Sequence, residues 1–274
     1  MIDSRRRMGR FAVLRLLVAF EATLLASCAP HVVRPPELVH ELRVTRYRSA
    51  LSEREARGVA VAAEIVLWTE LSGDRRLPGV QAELYLAAPD GMRLRVESLL
   101  GTALLLGARG DSVMAYVPAR RMGLRVDAAH DSIGVRDPGS LAYRVLSATW
   151  RPPDRAWEES AWRDSLLEVS WVEAGDTLVM AVGGTGLPVW VAMKRRDGPP
   201  VRAAYRGWDR TMGTAWPSHL EIDQEGSLHL ACRVRRVQFG AQPDPRRLVV
   251  RIPEDAETLT LDQLHRAIER LGAF

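Results

Sequence analysis

Val80-Gln81-Ala82-Glu83-Leu84-Tyr85-Leu86-Ala87-Ala88-Pro89-Asp90-Gly91-Met92-Arg93-Leu94-Arg95-Val96-Glu97-Ser98 is the stretch that decides the fold. Val80, Ala82, Leu84 and Leu86 alternate with Gln81, Glu83 and Tyr85, and Met92, Leu94 and Val96 alternate with Arg93, Arg95 and Glu97. A period of two sends successive side chains to opposite faces of a strand, so each run has one dry and one wet face. Pro89-Asp90-Gly91 between the runs is turn chemistry, and the pair reads as an antiparallel hairpin.

The same pattern extends in both directions. Val59–Leu71, Val80–Ala88, Met92–Leu99, Ala103–Ala108, Ser112–Val117 and Gly123–Val126 form a first strand series, punctuated by Ser72-Gly73-Asp74, Gly101 and Gly110-Asp111. Leu166–Val172, Thr177–Val182, Pro188–Arg195, Val201–Trp208, His219–Asp223, Leu228–Phe239 and Leu248–Ile252 form a second. Ahead of both, Glu37–Arg57 carries Leu38, Leu42 and Leu51 among many charges and reads as an amphipathic helix ended by Gly58. Between the series Asp137 can cap a helix with Pro138 at its first position and Leu141, Val145 and Leu146 at helical spacing. Arg151-Pro152-Pro153 stops it, and a last helix is expected at about Asp262–Leu271.

The dry faces carry Leu84, Leu86, Leu94, Val96, Leu167, Val169, Trp171, Leu178, Met180, Val189 and Val191. About eleven strands in one curled sheet, with two or three helices to cover it, have two solutions: a filled core or an apolar cavity. The pattern leaves both open.

Chemistry is sparse. No Gly-x-Ser-x-Gly elbow, His-Glu-x-x-His, phosphate loop or dinucleotide turn occurs, so neither catalytic residues nor a cofactor are expected. Gly183-Gly184-Thr185-Gly186 joins two strands and reads as a turn. Leu220 and Ile222 must share a side with Leu228 and Leu230, which suggests a three-residue loop Gln224-Glu225-Gly226. That register puts His219 and His229 diagonally on the outer face, with Glu221 opposite His229. Such a trio can hold zinc, but a cross-strand ion pair is the simpler account and no metal site is expected.

The N-terminus has a different grammar. A head with Arg5, Arg6, Arg7 and Arg10 precedes the apolar Phe11–Ser27, which Arg15 and Glu21 interrupt, and the segment ends Leu25-Ala26-Ser27-Cys28. A basic head, a short apolar segment and small residues before a cut make a secretory signal, and Leu-Ala-Ser-Cys matches the lipobox of bacterial lipoproteins. The expectation is a signal at 1–27, lipidation of Cys28, a tether at 28–36 and one domain at 37–274. Five Arg against Asp3 and Glu21 put +3 of the formal +4 into the signal, so the remainder is close to neutral and nucleic acid is not an expected partner. Lys194 is the sole lysine, a uniform preference for Arg that fits codon bias better than anion recognition. Once Cys28 is acylated, Cys232 has no disulfide partner.

Three local features then resemble one family. Tyr47 to Arg57-Gly58 is similar to the Tyr…Arg-Gly entry to the first strand of the lipoprotein receptor LolB. Ser98-Leu99-Leu100-Gly101 lies where that receptor has Asn-Pro-Leu-Gly. Pro138 to Pro153, with Leu141 and Trp150, resembles its plug helix. The resemblance to the LolA/LolB-like carrier superfamily implies a mainly β, incomplete (unclosed) antiparallel barrel with helices covering or plugging one opening. It also implies lipid or lipoprotein acyl chains bound against Leu84, Leu86, Leu94, Val96, Trp171 and Met180, and a membrane-insertion tip at Leu99 and Leu100. The implied setting is the periplasmic face of the outer membrane, reached through the N-terminal lipid, with Ala29 in place of the Asp that retains lipoproteins at the inner membrane. A periplasmic carrier protein is an implied partner, and a monomer the implied state. The competing expectation is a non-catalytic interaction module with a filled core.

Overall fold

The computed structural model describes residues 36–71, 75–76, 79–128, 136–196, 198–211, 214–224, 228–240, 242, 244–260 and 263. The chain falls into two units, Met1–Val39 and His40–Phe274. Of the first, only the opening turn of a helix lies among the described residues.

Helix α1 (Pro36–Arg57) precedes a meander of β1 (Ala60–Leu71), β2 (Arg75–Arg76), β3 (Val80–Ala87), β4 (Gly91–Ser98), β5 (Gly101–Arg109), β6 (Ser112–Val117) and β7 (Met122–Asp127). Helices α2 (Pro138–Ser147) and α3 (Asp154–Glu158) follow. A second meander runs through β8 (Ala161–Arg163), β9 (Leu166–Glu173), β10 (Asp176–Val182), β11 (Pro188–Lys194), β12 (Val201–Thr211), β13 (Thr214–Gln224) and β14 (Leu228–Gly240). Short α4 (Pro245–Leu248) and β15 (Glu257–Thr258) complete the described elements. All strands among the described residues belong to one sheet, ordered β15-β7-β6-β5-β4-β3-β1-β14-β13-β12-β11-β10-β9-β8, with β2 beside β1. β1 and β14 weld the two meanders from Ala60↔Gly240 to Leu71↔Leu228. The path ends at β15 and β8, so the sheet is an unclosed barrel, as expected.

The opening hairpin pairs as its alternation demands, Leu84↔Leu94 and Ala82↔Val96. Elsewhere the structure corrects the sequence reading. α2 stops at Ser147 because Ala148 takes a left-handed φ of 55° and its N–H returns to Arg144 O; the chain to Pro153 is not helical. β13 begins five residues before His219 and contains Pro217, a residue that argues against an interior strand. Pro217 pairs with Trp208 of β12, while the ladder to β14 starts only at His219, so its missing N–H costs no bond there.

Leu248–Ile252 is not a strand. From the last residue of α4 onward the chain crosses the outer face of the sheet, where a Cβ added at Gly91, Gly107 or Gly123 would meet Leu248, Val250 or Ile252 at 2.8, 2.8 and 2.3 Å. The three glycines form a trough for every second side chain of the strap, a packing that period-two alternation mimics. The helix expected at 262–271 lies outside the described residues except for residue 263.

Candidate functional site

The inward side chains of both meanders form one buried cluster. Leu84, Leu86, Val96, Trp171 and Met180 are buried in it, and Leu94 packs half-buried against it. The six expected cavity residues therefore share one interior. Tyr47 and Leu51 of α1, Tyr143 of α2, Trp150 behind it and Trp157 of α3 belong to the same cluster, so helices and large aromatics occupy the space the sheet encloses.

Trp150 is the centre of this plug, 1% exposed. Its Nε1 donates to Tyr205 Oη at 3.0 Å, and Tyr205 Oη donates to Val145 O at 3.0 Å. Tyr47 Oη donates to Trp150 O, and the Tyr47 ring lies 5.1 Å from that of Trp157. Tyr143 Oη donates to Gly58 O at 3.0 Å, tying α2 to the α1–β1 corner. Burial pushes the Tyr47 and Tyr205 hydroxyls well above the usual phenol range, against the opposing pull of Arg54.

Arg54 is the residue that sequence reasoning missed. It is 1% exposed, and its Nη2 donates to Ala148 O at 3.3 Å. Its guanidinium sits 5.4 Å over the Trp208 ring, and Nε and Nη1 have no partner among the described residues. Burial lowers its affinity for the proton, with Tyr47, Tyr205, Glu55 and Glu53 acting the other way. A signal existed: Tyr47, Leu51 and Arg54 stand at i, i+4 and i+7, on one helix face.

Next to the plug lies a pocket of about 650 Å³, lined among others by Glu55, Tyr143, Arg144, Thr149, Trp171 and Glu173. Two ion pairs flank it, Arg144–Glu173 at 2.7 Å and Arg151–Glu55 at 2.6 Å.

Far from the plug in chain order, the β4–β5 turn presents Leu99 and Leu100 at 101% and 97% exposure. Ser98 Oγ donates to Gly101 O at 2.9 Å and accepts from Leu100 N at 3.3 Å, while Gly101 takes a φ of 109° that suits only glycine. The turn is therefore shaped by its flanks, and the two leucines pack on nothing.

The histidine hairpin is corrected. His229 stands opposite Asp223 and is hydrogen-bonded to it, His219 opposite Arg233, and Glu221 opposite Ala231 with Arg206 at 3.2 Å. Gln224↔Leu228 extends the ladder, so Gln224 belongs to the strand and not to a Gln224–Gly226 loop. This slip keeps Ile222↔Leu230 inward, so alternation alone fits either register. The imagined zinc trio is not assembled, and among the described residues no three His, Cys, Asp or Glu gather in metal-binding geometry. Gly183–Gly186 is a turn, closed by Gly186 N to Gly183 O at 3.0 Å. Cys232 is free and buried, its thiol pushed up to about 12 by desolvation. Cys28 lies outside the described residues.

No family model and no curated protein matches the chain. A solved LolA superfamily protein from Nitrosomonas europaea superposes with a TM-score of 0.51, at 11% identity over 75% of this chain and 97% of that one. The fold is LolA-like. An outer membrane lipoprotein-sorting protein domain from Vibrio parahaemolyticus gives a TM-score of 0.48, at 10% identity over 76% of this chain and 97% of that one.

Proposed function

We propose that this chain is an envelope lipoprotein, lipidated at Cys28, that binds acyl chains of lipids or lipoproteins inside the barrel and passes them to the outer membrane. The observation that carries the reading is the Leu99–Leu100 tip. Two fully exposed leucines on a turn with no packing role are costly in water, and each regains about 1.5–3 kcal/mol when buried among acyl chains. The N-terminal tether at 28–36 would hold the domain, 37–274, within reach of that surface.

In the described state Tyr143 of α2 and Trp150 pack into the interior, so uptake requires α2 and Trp150 to give way to the ligand. The apolar walls at Leu84, Leu86, Leu94, Val96, Trp171 and Met180 would then face acyl chains. Binding and release need no bond chemistry in this reading. Transfer follows the difference in apolar burial between barrel and bilayer.

The filled interior favours a second reading, a protein-interaction module on the same scaffold. The two are separated by native mass spectrometry of the chain recovered from a bacterial envelope, with and without Met180→Trp. Co-purified diacyl lipid or lipoprotein that disappears in the variant supports the carrier. A clean mass that takes up no added acyl probe, with Met180→Trp merely less stable, sinks it and leaves the module.

A further inference from the structure

We propose that Arg54 is an internal receptor for the anionic group of an amphiphile, a carboxylate or a phosphate, entering through the pocket beside α2. The inference rests on the carrier reading and narrows its ligand.

Among the described residues Arg54 is the one fully buried charged side chain, and it is poorly compensated. Three facts limit its partners. Its Nη2 has a single long bond, 3.3 Å to Ala148 O. The nearby hydroxyl of Tyr205 already accepts from Trp150 Nε1 at 3.0 Å. No carboxylate is bonded to it, and Nε and Nη1 are left without an acceptor among the described residues. A buried guanidinium offers a planar fork of donors that fits carboxylate and phosphate oxygens, and an unpaired buried ion is unfavourable until such a group arrives.

A route is present. Glu55, next to Arg54 in the chain, lines the 650 Å³ pocket, and so do Tyr143 and Thr149. Thr149 follows Ala148, the residue whose carbonyl Arg54 holds and whose φ of 55° ends α2. A shift of this one segment trades the Ala148 bond for a ligand oxygen and opens the pocket toward the interior. Acyl chains would then occupy the space of α2 and Trp150, with the anionic group at Arg54.

The test is native mass spectrometry of the full chain released from a non-ionic detergent. The probes are palmitate, palmitoyl-lysophosphatidate, and the neutral palmitamide and monopalmitin. The expected result is at least tenfold higher occupancy by one or both anionic probes than by the neutral pair. Preference for palmitate alone or lysophosphatidate alone assigns the headgroup. Arg54→Met should bring the anionic probes down to the neutral level without loss of the neutral ones. It should also raise Tm by about 2–4 °C, as when a buried ion gives way to an apolar side chain. Equal occupancy by all probes in the native chain overturns the receptor and leaves the carrier standing. Retained preference in Arg54→Met, or a lowered Tm, overturns it too. Uptake of none of the four overturns the carrier reading itself.

Discussion

The indole of Trp150 donates to the hydroxyl of Tyr205 at 3.0 Å, and that hydroxyl hands its own proton to Val145 at 3.0 Å. Two residues 55 apart in the chain thus pin the segment after α2 to β12. A hydrogen bond this deep is worth little when made and much when half-broken, because the surviving donor stays dry.

Tyr205→Phe should therefore destabilise the fold by about 1–3 kcal/mol, leaving Trp150 Nε1 and Val145 O unpaired. Trp150→Ala, which empties the centre of the plug, should cost about 3–5 kcal/mol. Urea unfolding reads both as a lower midpoint at unchanged slope. A neutral Tyr205→Phe would mean water or a neighbour replaces the hydroxyl, and the pin would not be structural.

The tip behaves in the opposite way. Leu99→Ser with Leu100→Ser removes exposed apolar area without adding charge, so stability should stay within about 0.5 kcal/mol of the parent. Association with phosphatidylethanolamine–phosphatidylglycerol vesicles should weaken by about 100-fold, if the pair contributes about 3 kcal/mol of burial. Flotation of the two proteins side by side decides it, and undiminished vesicle binding removes the tip from the membrane contact.

Much of this was legible in the sequence, for a physical reason. The Val80–Ser98 hairpin has one wet and one dry face, so its pairing is dictated locally, and the open barrel follows from repeating it. The leucine tip was legible as position but not as exposure, since a hairpin end with Leu-Leu reads the same buried or bare. Failures came where a long-range contact overrode local grammar. The strap at 248–252 alternates like a strand because a trough of glycines on β4, β5 and β7 selects every second side chain. Arg54 looked like one more helix charge, and only the folding of Ala148 and Trp208 around it makes it buried.

That strap offers its own test. A methyl group at residue 123 would lie 2.3 Å from Ile252 Cγ2, closer than atoms can approach, so Gly123→Ala must lift the strap or displace β7. Overpacking of this kind costs about 1–3 kcal/mol and should open the chain near 249–253 to limited proteolysis. Ile252→Ala in the same molecule should restore most of the stability and protection. Failure of that rescue would mean the glycine is needed for β7 itself.

Alkaline pH should unfold this protein through its buried thiol and phenols. The thiol of Cys232 is pushed up to about 12 by burial, and the hydroxyls of Tyr47 and Tyr205 are raised by the same cause. Each is neutral while protonated, so below the unfolded thiol value of about 8.5 none of them makes stability depend on pH. Above it the unfolded chain has released a thiol proton that the folded chain still holds, and stability falls by about 1.4 kcal/mol per pH unit until the folded value is reached. The tyrosines join from about pH 10 and steepen the loss. Cys232→Ala removes the thiol's share, so its urea midpoint should decline less between about pH 8.5 and 10, whatever its starting stability. Parallel declines for parent and variant over that window would show that Cys232 ionises as readily in the fold as outside it.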